Sequence, residues 1–164
     1  MNRHMLQAIP HTERVLAEMV RVARPGATLH IVPEDYDMIH VAMAASYGSR
    51  PDVGPFWRAG PRAYGAKTGT DLFIGRNIYY HLRKLGLEDI AYHYAMVDTL
   101  RVPRETFATI FEAWRDGYVE AIAPALGRAE AEVREAFEAT IDCIRDPDGY
   151  ALWVVPIVTA RVPR

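Results

Sequence analysis

Two acidic residues, Glu34 and Asp35, follow directly on the apolar run Thr28-Leu29-His30-Ile31-Val32 and a proline. A carboxylate at the end of a buried strand is placed to hold a substrate or to work as a general base, since partial burial is what tunes such a group for proton transfer. A pair of solvated turn residues is the plainer alternative. Tyr36, Met38 and His40 come next, with Trp57 and Arg58 further on. These are the side chains that line a concave apolar pocket with a few convergent polar groups. Against that, Met38 also reads as core packing, and His40, alone in an apolar stretch, as a structural histidine rather than a proton acceptor. Thr68, Thr70 and Asp71 precede a helical pattern, where hydroxyls and carboxylates cap free amides. One turn on, Arg76 faces the same pocket as Asp71 or pairs with that carboxylate on the helix surface. Tyr79, Tyr80, His81, Tyr92, His93 and Tyr94 are rich in rings, yet their spacing fits no HxxxH or HExxH ligand pattern, and no metal site is read there.

These residues need elements to hold them. From Thr12 to Arg24, Val15, Leu16, Met19 and Val20 recur at three- and four-residue spacing, which predicts an amphipathic helix stopped by Pro25-Gly26. A buried strand over 28–32 follows, and its carboxyl end is where open α/β sheets gather ligands. Residues 36–48 are compatible with a helix, whereas 49–71 carry prolines and glycines at short intervals and read as a long irregular loop or lid. A helix over about 71–85 closes on Gly86, and a strand over 90–97 follows. Two more helices, about 104–123 and 129–144, come next, the first ended or kinked by Pro124. After the turn 146–149, the apolar run 150–160 is a last strand, whose Pro156 predicts an edge or a bulge.

The 164 residues, half of them apolar, fit one domain. A net charge of −2 offers no basic surface for nucleic acid or anionic lipid. One cysteine, Cys143, cannot form an internal disulfide and reads as a buried thiol. With no signal-peptide pattern and no apolar stretch near the roughly 18 residues that span a bilayer, a cytoplasmic protein without membrane contact is expected.

Taken in order, LQAIP at 6–10, RVLAEMVRVARPGATLHIVPED at 14–35 and TGTDLFIGRNIYYHLRKLGLEDI at 68–90 resemble three successive signatures of the class I S-adenosylmethionine-dependent methyltransferases. The resemblance is colinear over most of the chain. It implies an α/β, partial Rossmann-like methyltransferase fold: a small mixed sheet with flanking helices and a long lid-like insertion, the single domain 1–164 corresponding to the C-terminal, substrate-side half. In it, LQAIP follows a fourth strand, 28–32 is a fifth, the GLEDI turn leads to a sixth, and the final run is a seventh, antiparallel to its neighbours. It also places Arg3 and His4 where such enzymes approach cofactor and substrate together.

The departure is as informative as the match. The family's cofactor site is built by its first two strands, and no glycine among Gly48, Gly54, Gly60, Gly65, Gly69 and Gly75 follows a strand and opens a helix as a cofactor loop requires. S-adenosylmethionine is therefore expected only if another chain or further sequence supplies that half. The fifth-strand equivalent would then have a bare edge, covered by the N-terminal segment, by a complementary chain, or by a second copy in a dimer that exchanges Met1 to Pro10. Three functions stay open. One is a methyltransferase acting on a small molecule, the second a non-catalytic half-fold that binds a ligand or partner, and the third a cofactor-independent isomerase or cyclase using Glu34, Asp35 or His40.

Overall fold

Apolar periodicity and turn chemistry set most of the elements. The computed structural model describes residues 1–42 and 52–164, with backbone alone at 40–42. In chain order they are β1 (Asn2–Arg3), α1 (Thr12–Val22), β2 (Thr28–Val32), β3 (Ile39–Ala42), α2 (Gly54–Thr68), α3 (Ile74–Lys84), β4 (Glu88–Asp98), α4 (Arg104–Leu126), α5 (Glu130–Arg145) and β5 (Tyr150–Arg161). The result is α/β, a mixed sheet with flanking helices. No helix among the described residues is long and apolar enough to cross a membrane. The chain forms two compact units: Met1–Asp35 with Thr68–Ala95 and Val154–Arg164, and Tyr36–Lys67 with Met96–Trp153.

In the first unit, β2 alternates buried and exposed residues, so Leu29 and Ile31 point to one face. Leu16 of α1 and Ile74, Ile78 and Leu82 of α3, all fully buried, belong to the same core. Each such side chain contributes about 1.5–3 kcal/mol by leaving water, enough in aggregate to fix both helices on the sheet. α1 stops where proline denies the next turn a donor, and Gly26 takes the left-handed backbone (φ 78°) that the reversal needs, its N–H bonded to Val162 O. α3 ends in a Schellman turn, with Leu87 N–H on Leu82 O across Gly86.

The last strand is antiparallel to β2, Thr28 opposite Arg161 and Ile31 opposite Val158, as the resemblance implies. β4 pairs with β5, and Arg161 reaches both Glu88 and Asp89 at the start of β4. Of the three covers expected for the edge of β2, the structure shows the N-terminal segment. The chain's own N-terminus lies parallel to β2, with Asn2 opposite Ile31, Arg3 opposite Val32, and His4 N–H on Val32 O at 2.9 Å. Two residues are too short to carry a sequence pattern, but they pair the amides and carbonyls that an edge would leave open.

In the second unit, β3 pairs antiparallel with the first half of β5, from Ile39 opposite Trp153 to Ala42 opposite Tyr150. This corrects the helix expected over 36–48. Residues 36–38 make one 3-10 turn and 39–42 a strand, where β-branched Ile39 and Val41 suit pairing, while 43–48 lie outside the described residues. A second correction concerns the lid: most of 49–71 is the helix α2, not irregular loop. Its glycines and Pro61 lower helix propensity, but Phe56, Trp57, Gly60, Pro61 and Gly65 form a buried face, and packing overrides propensity.

Trp57 sits edge-on to Phe56, Phe111 and Phe137, and its indole N–H donates to Thr140 Oγ1 at 2.9 Å. α4 runs past Pro124, which falls in its last turn, and stops at Gly127 (φ 64°). Arg104 at the start of α4 closes the end of α5, its guanidinium donating to the carbonyls of Ile144, Asp146, Pro147 and Gly149. Cys143 is buried, as expected. Along β5 the buried positions are 151, 153 and 155, then 156, 158 and 160. The alternation slips by one residue at Pro156, which is what a bulge does, and agrees with one of the two readings of that proline.

Candidate functional site

Parallel β1 and β2 end side by side, and the residues just beyond them are His4, Glu34 and Asp35. Parallel strands present their carboxyl ends to ligands because the connecting helices occupy the faces. His4 adopts a left-handed backbone (φ 50°), a conformation rare outside glycine and kept only where the surroundings impose it. Two bonds impose it here, the His4 N–H to Val32 O and His4 Nδ1 to Glu34 Oε1 at 2.8 Å. The Glu34 side chain is 8% exposed and that of His4 32%, so a buried carboxylate orients an imidazole that solvent still reaches. With Nδ1–H donating to the carboxylate, proton exchange with a ligand falls to Nε2.

Asp35 is fully buried and is met side-on by Arg76, with Nε to Oδ2 and Nη2 to Oδ1 both 2.6 Å. Sequence reasoning had Arg76 either facing the same pocket as Asp71 or pairing with that carboxylate, one turn back. The structure pairs it with Asp35, 41 residues away, because α3 lies against the end of β2. Gly75 makes that approach feasible: its N–H donates to Glu34 O at 2.9 Å, and a Cβ there would stand 2.8 Å from Asp35 Cβ and 3.0 Å from Pro156 Cγ. Asp71 keeps the capping role, accepting from Phe73 N–H at 2.9 Å and from Asn77 at 2.7 Å, although α3 itself begins at Ile74. Tyr92 donates its hydroxyl to Gly75 O at 3.2 Å. Burial, above all, pushes that phenol up to about 12, and the Tyr94 and Asp35 charges add to the shift while a backbone hydrogen bond opposes it.

The remaining candidates are distributed as follows. Arg3, in register with Val32, is exposed beside this site. Tyr36, Met38, His40, Trp57 and Arg58 belong to the second unit. There Tyr36 and Trp57 both meet Trp114, at ring distances of 4.9 and 6.3 Å. Trp57 is a core residue, Met38 is half-buried in the 3-10 turn, and Arg58 lies exposed on α2. His40 stands opposite Leu152 in the β3–β5 ladder. Asn2 and Gln7, both buried beside His4 along the chain, drew no attention in the sequence because a lone amide has no signature.

For S-adenosylmethionine the residues present do not fit. Gly54 opens α2 and Gly75 lies in the first turn of α3, but among the described residues no run of glycines joins a strand to either helix, and the space at Gly75 is filled by its contacts with Asp35 and Pro156.

No protein-family model matches the chain, and no curated protein matches it. Among the solved structures similar to it are two of phosphoethanolamine N-methyltransferase 2 from Haemonchus contortus. One is a complex with phosphomonomethylethanolamine and S-adenosylhomocysteine, the other a selenomethionine form with S-adenosyl-L-methionine. Each is 16% identical with a TM-score of 0.42 and covers 99% of this chain. The chain spans about a third of their length, 32%.

Proposed function

We propose that this chain is the substrate-side part of a methyltransferase-like protein of the cytoplasm. It gathers a small molecule at the ends of β1 and β2, and the cofactor site is completed by another chain or further sequence. The observation that carries the reading is His4, held in a left-handed backbone at the end of β1 with Nδ1 on buried Glu34. Strain of this kind is kept where a side chain must be aimed. The motif order at 6–10, 14–35 and 68–90 and the antiparallel last strand support the class of protein. In methyl transfer the protein chiefly positions the reactants and accepts a proton when the methyl acceptor carries one. His4, oriented by Glu34, is the proposed acceptor, and the Asp35–Arg76 pair holds the end of β2 against α3.

The test is binding of radiolabelled S-adenosylmethionine to the tagged chain, once purified alone and once recovered gently from its own cell extract. The proposal expects retention of label only in the second sample. No retention in either overturns it.

A further inference from the structure

In the first unit, among the described residues, every buried side-chain polar atom without a hydrogen-bond partner is an acceptor: Asn2 Oδ1, Gln7 Oε1 and Glu34 Oε2. None is a donor. All three residues are more than nine-tenths buried, and buried acceptors are rarely left unmet without a reason. They come from one short stretch of structure. Asn2 opens β1, Gln7 sits in the 3-10 turn Leu6–Ala8 just after it, and Glu34 ends the neighbouring strand, tied back to His4 between them. Charge points the same way. Glu34 and Asp35 bring two carboxylates; of the guanidiniums nearby, Arg76 is engaged side-on with Asp35 and Arg3 is exposed to solvent. Glu34 has one oxygen on His4 and the other, Oε2, buried and unmet.

We infer that the ends of β1 and β2 bind the protonated amino group of a small molecule, with Glu34 Oε2 as its charged acceptor and the Asn2 and Gln7 amide oxygens as further acceptors. The inference rests on the site proposed above and names the chemical class of its ligand. An alkylammonium carries one positive charge and up to three N–H donors, which complements a carboxylate oxygen and two amide oxygens that are buried and unmet. A carboxylate or phosphate there would face Glu34 with like charge, and a neutral alcohol would leave that charge unmatched.

The experiment follows the backbone amides of residues 2–7, 34–35 and 75–76 by NMR during titration of the full chain with four small probes, without any methyl donor. Ethylammonium has charge and donors, tetramethylammonium charge alone, ethanol a donor alone, and acetate the opposite charge. The expected result is saturable shifts at those amides with ethylammonium, at least about tenfold stronger than with the other three, the factor a charged hydrogen bond supplies. Glu34→Gln should weaken ethylammonium by about the same factor. Equal effects from tetramethylammonium or acetate, or no saturable shift with ethylammonium, would overturn the inference. The probe series on the unaltered protein decides the matter even if the variant fails to fold. Amine binding without methyl transfer would remove the proposed function and leave this inference standing.

Discussion

Replacing Gly75 by alanine should destabilise the protein, although the same change elsewhere in a helix stabilises it. A helical glycine exchanged for alanine gains about 1 kcal/mol when the site is open, because alanine loses less backbone entropy on folding. Gly117 in α4 is such a site, with nothing within 4 Å of a new Cβ. At Gly75 the added carbon meets Asp35 Cβ at 2.8 Å, Pro156 Cγ at 3.0 Å and Glu34 O at 3.1 Å. None of these is the far end of a flexible side chain: one is backbone, one a proline ring, and one the Cβ of a residue pinned by Arg76. Overpacking of this kind costs about 1–3 kcal/mol, and displacing α3 also weakens the Gly75 N–H to Glu34 O bond, worth about 1 kcal/mol. Set against the propensity gain, Gly75→Ala should lose about 1–3 kcal/mol, while Gly117→Ala gains up to about 1. Urea denaturation followed by circular dichroism reads both as opposite shifts of midpoint at unchanged slope. A rise for Gly75→Ala matching that of Gly117→Ala would refute the close approach of α3 to the end of β2.

Arg76→Ala leaves the fully buried Asp35 carboxylate without its side-on partner and should cost about 2–3 kcal/mol, below the usual 3–5 for a buried pair because the Arg76 side is half in solvent. Adding Asp35→Asn should recover part of that loss, as denaturation midpoints will show. Trp57→Phe keeps the ring in the second unit's aromatic core but removes the donor to Thr140 Oγ1. A loss of about 1 kcal/mol is expected, against about 3–5 for Trp57→Ala. For Tyr92 the neutral phenol is favoured in the folded state. Stability is therefore unaffected below about pH 10, where the unfolded chain's tyrosines begin to ionise, and falls as the pH rises toward about 12. Tyr92→Phe should flatten that alkaline decline and remove the latest phase from the ultraviolet titration of phenolate.

Much of this architecture was legible in the sequence because it is written as local period and punctuation. α1, β2, α3, β4, α4, α5 and β5 all lie within a few residues of where periodicity and Gly or Pro signals place them. α2 was not legible, since Gly60, Pro61 and Gly65 argue against a helix until a buried face is available to pack. β1 was not legible because a two-residue strand exists through its partner alone. The site shows the same division. Glu34, Asp35 and Arg76 were singled out by type and place, and His4 by the resemblance alone. Which of them meet depends on parallel register and on α3 crossing the strand end, so separations of 30 and 41 residues left no trace in any local pattern.

The pairing of His4 with Glu34 is the claim on which the site rests, and nitrogen-15 NMR of the imidazole tests it directly. In slightly alkaline solution, where an imidazole is ordinarily neutral, the account predicts that His4 holds its proton on Nδ1, and that Glu34→Gln shifts the tautomer balance toward Nε2–H. A His4 ring that is mostly Nε2–H in the unaltered protein, or whose signals do not respond to Glu34→Gln, would contradict it.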